Sequence, residues 1–197
     1  MKKSKELKLA IILTICINII FACSVIYVAV SGWKSPQITI FITSLMFAYH
    51  CDIRIFVGYV FNRFIKNKIC VQSPLFAIKE KEYKRLQKAG VKRWKDKFIA
   101  WNRSLFVLGK MDKDRLNIVL QNNITAEITH WVCFFVGFLA IPIGIMLSSA
   151  EWWIYLSTAL ITSLVADLPP IFIQRYNRYR LQNISKQASQ PTKTPTN

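Results

Sequence analysis

Acidic residues are scarce in this chain: 10 Asp and Glu stand against 27 Lys and Arg in 197 residues, a formal net charge of +17. Histidine is scarcer still, with two residues. The short motifs that announce many enzymes are missing: no glycine-rich phosphate loop, no dinucleotide fingerprint, no Gly-x-Ser-x-Gly elbow and no zinc-ligand spacing. The His-x-x-x-x-Asp arrangement of many glycerolipid acyltransferases is absent as well. The five cysteines, at 16, 23, 51, 70 and 133, form no Cys-x-x-Cys pair. Cys16, Cys23 and Cys133 lie inside apolar runs, where a thiol behaves as a small hydrophobe. All five read as reduced and structural. Neither a disulfide framework nor a bound metal or cofactor is expected.

What is present is apolar: 53% of the chain is hydrophobic, a fraction that soluble domains rarely combine with such charge imbalance. The distribution decides between a basic nucleic-acid binder and a membrane protein. Apolar residues gather in long blocks, and the cations flank them. Nucleic-acid binding would need a basic face on a soluble fold, so no nucleic-acid partner is expected. Residues 9–30 carry no charge and exceed the ~7–15 residues of a signal-peptide core, which favours a retained span. Gly32 and Pro36 mark a tight turn. The second span is either one helix from 37 to about 58 with a polar break, or a shorter helix entering an interfacial one. Residues 128–149 and 152–173 make the third and fourth, with Trp152, Trp153 and Tyr155 fitting an interfacial aromatic belt.

The fold class is therefore all-α integral membrane protein, with about four transmembrane helices and a basic cytosolic middle segment. The organisation reads as a membrane hairpin (1–61), a basic cytosolic or interfacial segment (62–126), a second hairpin with an Arg-rich end (127–182) and a disordered tail (183–197). Of the cations, the two short hairpin loops hold only Lys34. Both termini and the middle segment are thus placed in the cytosol. Lys79–Lys97 reads as helical with Gly90 as a C-terminal cap. Its Tyr83, Leu86, Val91, Trp94 and Phe98 form an apolar stripe, either resting on an anionic membrane surface or packed on neighbouring helices.

Three constellations could carry chemistry. Glu127-x-x-His130-Trp131 opens the third span. Positions i and i+3 share a helix face, so the carboxylate can orient the imidazole as a general base. The alternative is an ordinary helix start at headgroup level. A di-iron reading of Glu-x-x-His needs a second copy, and none exists. Asp167 lies within the fourth span, where an ionisable residue is costly and a functional candidate, unless Arg175 already marks the interface. Pro169 and Pro170 are expected to break that helix. Finally, Arg175, Arg178 and Arg180 offer three guanidiniums in six residues. They could grip an anion bidentately, or simply anchor the cytosolic end.

Ala126-Glu127-x-x-His130-Trp131, a span, then Leu168-Pro169-x-Ile171-x-Ile173-Gln174-Arg175-Tyr176-Asn177-Arg178-x-Arg180-Leu181 resembles the glycosyl-4,4'-diaponeurosporenoate acyltransferases. Gly90 to Lys97 resembles that family's basic Trp-Lys-Asp segment, and the likeness covers residues 75–182. Asp167, Tyr179 and Thr125 depart from the family pattern, which typically has Asn, Pro and Arg there. The resemblance implies an acyltransferase of a bacterial cell membrane. It would move a fatty acyl chain from an acyl thioester co-substrate onto a sugar hydroxyl of a glycosylated C30 carotenoid acid or a related glycolipid. His130 and Glu127 would be catalytic. Arg175, Asn177, Arg178, Arg180 and Asp167 would bind substrate or anion, with Trp94 and Lys95 at the interfacial entrance. A non-catalytic membrane protein that binds anionic lipid or recruits a partner would need only the cationic surface.

Overall fold

The computed structural model describes residues 5–32, 35–95, 113–147 and 151–188. They are helical with no strand among them. Helix α1 (Lys5–Ser31) and helix α2 (Ser35–Val60) form the first hairpin. Gly32, at φ 83°, closes α1 by donating to the Val28 carbonyl at 2.9 Å. Pro36 falls in the first turn of α2, where its missing N–H costs no helical bond. The second span is one continuous helix. His50, Asp52 and Arg54 do not interrupt it, because each finds a packed or paired setting. Asp52 accepts from the Asn18 amide of α1 at 3.0 Å, and Arg54 turns the other way into the bundle. Deeper in the hairpin, the Ser24 and Ser44 hydroxyls lie 2.7 Å apart, a small polar contact that joins helices in lipid.

After α2 the chain passes through a wide turn at Phe61–Ile65 and tighter turns at Lys66–Lys68 and Pro74–Phe76. It then enters α3 (Glu80–Lys88) and α4 (Val91–Trp94). Gly90, at φ 72°, ends α3 as expected, with its amide on the Gln87 carbonyl. The apolar stripe of this segment faces protein: Leu86 and Val91 are buried with Tyr176, flanked by Tyr83, Trp94, Phe172 and Ile173. Packing on neighbouring helices thus prevails over resting on a membrane surface for Tyr83, Leu86, Val91 and Trp94. Lys97 and Phe98 lie outside the described residues.

Helix α5 (Lys113–Leu147) begins well before the third span's apolar run. The fourth span is α6 (Trp152–Thr162), one wide turn at Ser163–Asp167, and α7 (Leu168–Ala188). The expected break at Pro169 and Pro170 does not occur. A proline ring clashes with the carbonyl four residues back, here Val165 and Ala166. The wide turn spans those two residues, loosens the helix where the rings arrive, and α7 runs on. It also continues past Gln182, against the expectation of a disordered tail from residue 183. Ile184 is held against Leu116, Val119, Leu120 and Leu181; residues 189–197 lie outside the described set.

Among the described residues, four helical stretches are long and apolar enough to cross a membrane: Lys8–Ser31, Pro36–Lys68, Asp114–Met146 and Trp152–Lys186. The bundle core joins Ile42 and Met46 of α2, Ala140 of α5, and Ile154 and Tyr155 of α6. Trp152 and Trp153 are exposed as an aromatic belt requires, but Tyr155 is not. Its ring lies against Gly144, where no side chain blocks it. A methyl group at position 144 would overlap that ring. Gly144→Ala is expected to cost about 1–3 kcal/mol, read as a lower midpoint in thermal unfolding of the detergent-solubilised protein.

Candidate active site

Two polar clusters lie between α5 and the fourth span, one above the other. The first surrounds Glu127. Its Oε1 accepts from Arg175 Nη1 at 2.7 Å, and its other oxygen pairs with Arg178, both on α7. Arg175 also reaches Glu82 of α3 through Nε. Arg178 has 0% exposure and lies over the Phe76 ring, 5.8 Å from its centre. Nearby, the Asn123 amide donates to Gln174 at 2.5 Å. On the α3 side, the Tyr83 ring stacks on Tyr176 and Tyr179, at 5.1 and 4.2 Å between centres. Burial pushes the Tyr83 phenol above its ordinary pKa, and its contact with Tyr176 adds to the shift. Lys95 Nζ sits 5.6 Å from the centre of the Tyr176 ring.

The second cluster lies further into the bundle. Asp167, at 0% exposure, holds an ion pair with Arg54 of α2 through Oδ2 and faces His130 Nδ1 at 3.4 Å through Oδ1. Arg54 also donates from Nη1 to the His50 carbonyl at 2.5 Å. The wide turn explains why Asp167 points inward. Ser163 and Asp167 bound that turn, and both are fully buried. His130 is 23% exposed at its side chain, so the imidazole meets the cluster on one edge and open space on another.

This arrangement corrects two sequence expectations. Glu127 does not orient His130, although spacing puts them on one face. Two guanidiniums from α7 draw the Glu127 carboxylate away, since charge-assisted hydrogen bonds to arginine are among the strongest a carboxylate can make. Asp167 takes that place instead. Nor do the three arginines form one open anion grip. Arg178 is sealed against Glu127, and Arg175 is bound to two carboxylates. Arg180 alone of the three is exposed, with Asn177 half-buried beside it. Trp94 is half-buried and donates from Nε1 to the Ala89 carbonyl at 3.2 Å. Asp167 is buried inside the bundle.

Arg54 was legible only as a polar break in α2. A signal for its role existed: a buried carboxylate needs a cation, and Arg54 is the cation set deepest within a span. All five cysteines are free thiols, and Cys133 is buried one turn beyond His130. Among the described residues, no group of three or more His, Cys, Asp and Glu side chains could hold a metal ion.

A model of the glycosyl-4,4'-diaponeurosporenoate acyltransferase family matches residues 72–187. That match takes in both clusters except for Arg54, and leaves out α1 and α2. No curated protein and no solved structure gives a match. Matched over more than half its length, the chain belongs to the glycosyl-4,4'-diaponeurosporenoate acyltransferase family and is an acyltransferase.

Proposed function

We propose that the chain transfers a fatty acyl group from an acyl thioester to a sugar hydroxyl of a membrane glycolipid such as a glycosylated C30 carotenoid acid. The observation that carries the reading is the His130–Asp167 pair, set within a membrane-spanning bundle and backed by Arg54. A carboxylate on Nδ1 fixes the tautomer with Nδ1–H and leaves Nε2 as the base. Nε2 takes the proton of the sugar hydroxyl as that oxygen attacks the thioester carbonyl carbon. The carbon–sulfur bond then breaks, and the thiolate leaves with the proton returned by Nε2. Arg54 supplies the counter-charge of the buried Asp167 carboxylate and holds it in place beside His130.

The cations beside the first cluster suit a donor with phosphates. Arg180 is the exposed guanidinium for that contact, with Asn177 on the same helix and Lys95 beside Tyr176. Trp94 packs on Leu86, Val91 and Tyr176 and would shape the entrance. The basic segment at 62–126 and both termini face the cytosol in this reading, since the cations are concentrated there. A water-soluble donor then meets a membrane-held acceptor at His130.

The test is mass spectrometry of membrane lipids from cells that make a glycosylated carotenoid acid and express wild type or His130→Ala at matched levels. A species heavier by one fatty acyl group, present with wild type and missing with the variant, is the expected result. Identical lipid profiles would move the reading to the non-catalytic role of anionic-lipid binding.

A further inference from the structure

The outward side of α3 is cationic along its whole length. Lys81, Lys84, Arg85 and Lys88 are all exposed, and they fall at i, i+3, i+4 and i+7, the positions that make one helix face. Lys92 and Arg93 of α4, also exposed, extend the charge past Gly90. The two acidic residues of α3 do little to offset it. Glu80 pairs with Lys84 at 2.7 Å, both side chains being well exposed, and Glu82 turns to Arg175. The opposite side of these helices is already filled: Leu86 and Val91 are buried against Tyr176. A helix that lies on a membrane surface inserts its apolar face among the lipids. Here that face is occupied by protein, and what remains outside is charge.

This charge borders the group read above as the donor's phosphate contact. Tyr83 of α3 stacks on Tyr179, with 4.2 Å between ring centres. Burial raises the Tyr83 phenol, and the Arg180 guanidinium is close enough to oppose that shift. Arg180 therefore stands beside α3. It lies about 20 Å along α7 from Asp167, at 1.5 Å per residue. A thioester held at His130 must hang from a long, extended arm if its phosphate sits at Arg180. The cationic face of α3 is itself about 10 Å long from Lys81 to Lys88, more than one phosphate group can cover. A donor with a large acidic body would meet all of it.

We propose that α3 and α4 form the docking face for an acidic protein that carries the fatty acyl chain as a thioester on a flexible, phosphate-linked arm. Acidic side chains of the carrier meet Lys81, Lys84, Arg85 and Lys88, the arm's phosphate meets Arg180, and the thioester reaches His130. Complementary charge of this kind steers the encounter and fixes its orientation. An anionic membrane would also satisfy the cations, but it brings no thioester to Arg180. This rests on the acyltransferase reading of the His130 site and adds the class of donor to it.

The experiment uses the full chain in nanodiscs of zwitterionic lipid and reads binding and transfer separately. Binding is measured with an acidic acyl carrier protein whose acyl chain is held through a non-cleavable amide in place of the thioester. Transfer to a glycosylated C30 carotenoid acid is measured from the thioester-loaded carrier and from the matching acyl-coenzyme A. Wild type is expected to bind the carrier, more weakly as salt rises, and to use it with the higher kcat/KM. Arg85→Gln with Lys88→Gln should weaken binding and lower kcat/KM for the carrier. Arg85→Glu with Lys88→Glu should do so by about tenfold or more, since like charges then face each other. Transfer from acyl-coenzyme A should be unaffected in both variants, as should the midpoint of thermal unfolding. No carrier binding, or equal binding by wild type and the Glu variant, overturns the docking face, while transfer from acyl-coenzyme A leaves the acyltransferase reading standing. Carrier binding that disappears when the nanodisc lipid is made anionic assigns the face to the membrane and overturns it too. Binding without transfer from either donor overturns the acyltransferase reading, and with it the carrier's role as donor.

Discussion

Acyl transfer by His130→Gln is expected to fall by about 10²–10⁴-fold, the range for removing a positioned general base. Glutamine keeps hydrogen bonding at Asp167 and similar bulk, so the protein should stay folded and the loss should sit in kcat. Asp167→Asn is expected to follow it in kind. The amide cannot hold His130 in the tautomer with Nδ1–H as a carboxylate does, and it leaves the Arg54 guanidinium unpaired within the bundle. Thioester cleavage in the presence of acceptor, measured on purified protein of confirmed monodispersity, reads both effects. Activity within twofold of wild type in His130→Gln would remove His130 from the chemistry.

Glu127→Gln should behave differently, because its carboxylate serves the fold. Removing it leaves Arg178, sealed from solvent, without its counter-charge. Breaking a buried pair from one side costs about 3–5 kcal/mol, and the loss should appear as lower thermal stability and yield. Arg175 retains Glu82 and softens the effect only at its own position. The double replacement Glu127→Leu with Arg178→Leu should recover most of the stability, since it removes both charges together. Had Glu127 been the group that orients His130, Glu127→Gln would instead lower activity in a protein of unchanged stability. A stability-neutral, inactive Glu127→Gln protein would restore that role.

The elements themselves were largely legible in the sequence. Apolar runs long enough to span a bilayer, two of them carrying charged residues, gave the four spans, and a lone glycine after Gln87-Lys88-Ala89 gave the end of α3. His130 and Asp167 each stood out, one by its neighbours and one by its cost in a span. Their pairing did not, because local spacing favours Glu127 for His130 while the choice of partner depends on how α5 and α7 are rotated against each other. Arg54 was hidden for a related reason: its partner lies 113 residues away, and a cation within an apolar run looks like an interruption. The prolines misled because their local rule holds for a regular helix, and the chain has a wider turn ready ahead of them.

That wider turn gives the fourth span a fixed phase. A wide turn of this kind holds one residue more than the regular helix would, and each residue of a regular helix advances the face by about 100°. Everything beyond Asp167 therefore keeps an angular offset from everything before Ser163. Tyr155 and Ser163 face the bundle under one phase; Asp167, Arg175 and Arg178 face it under the other. The number of residues between Trp152 and Arg178 is thus as much a part of the site as their identities, and drift in this stretch can proceed by substitution far more readily than by gain or loss of a residue.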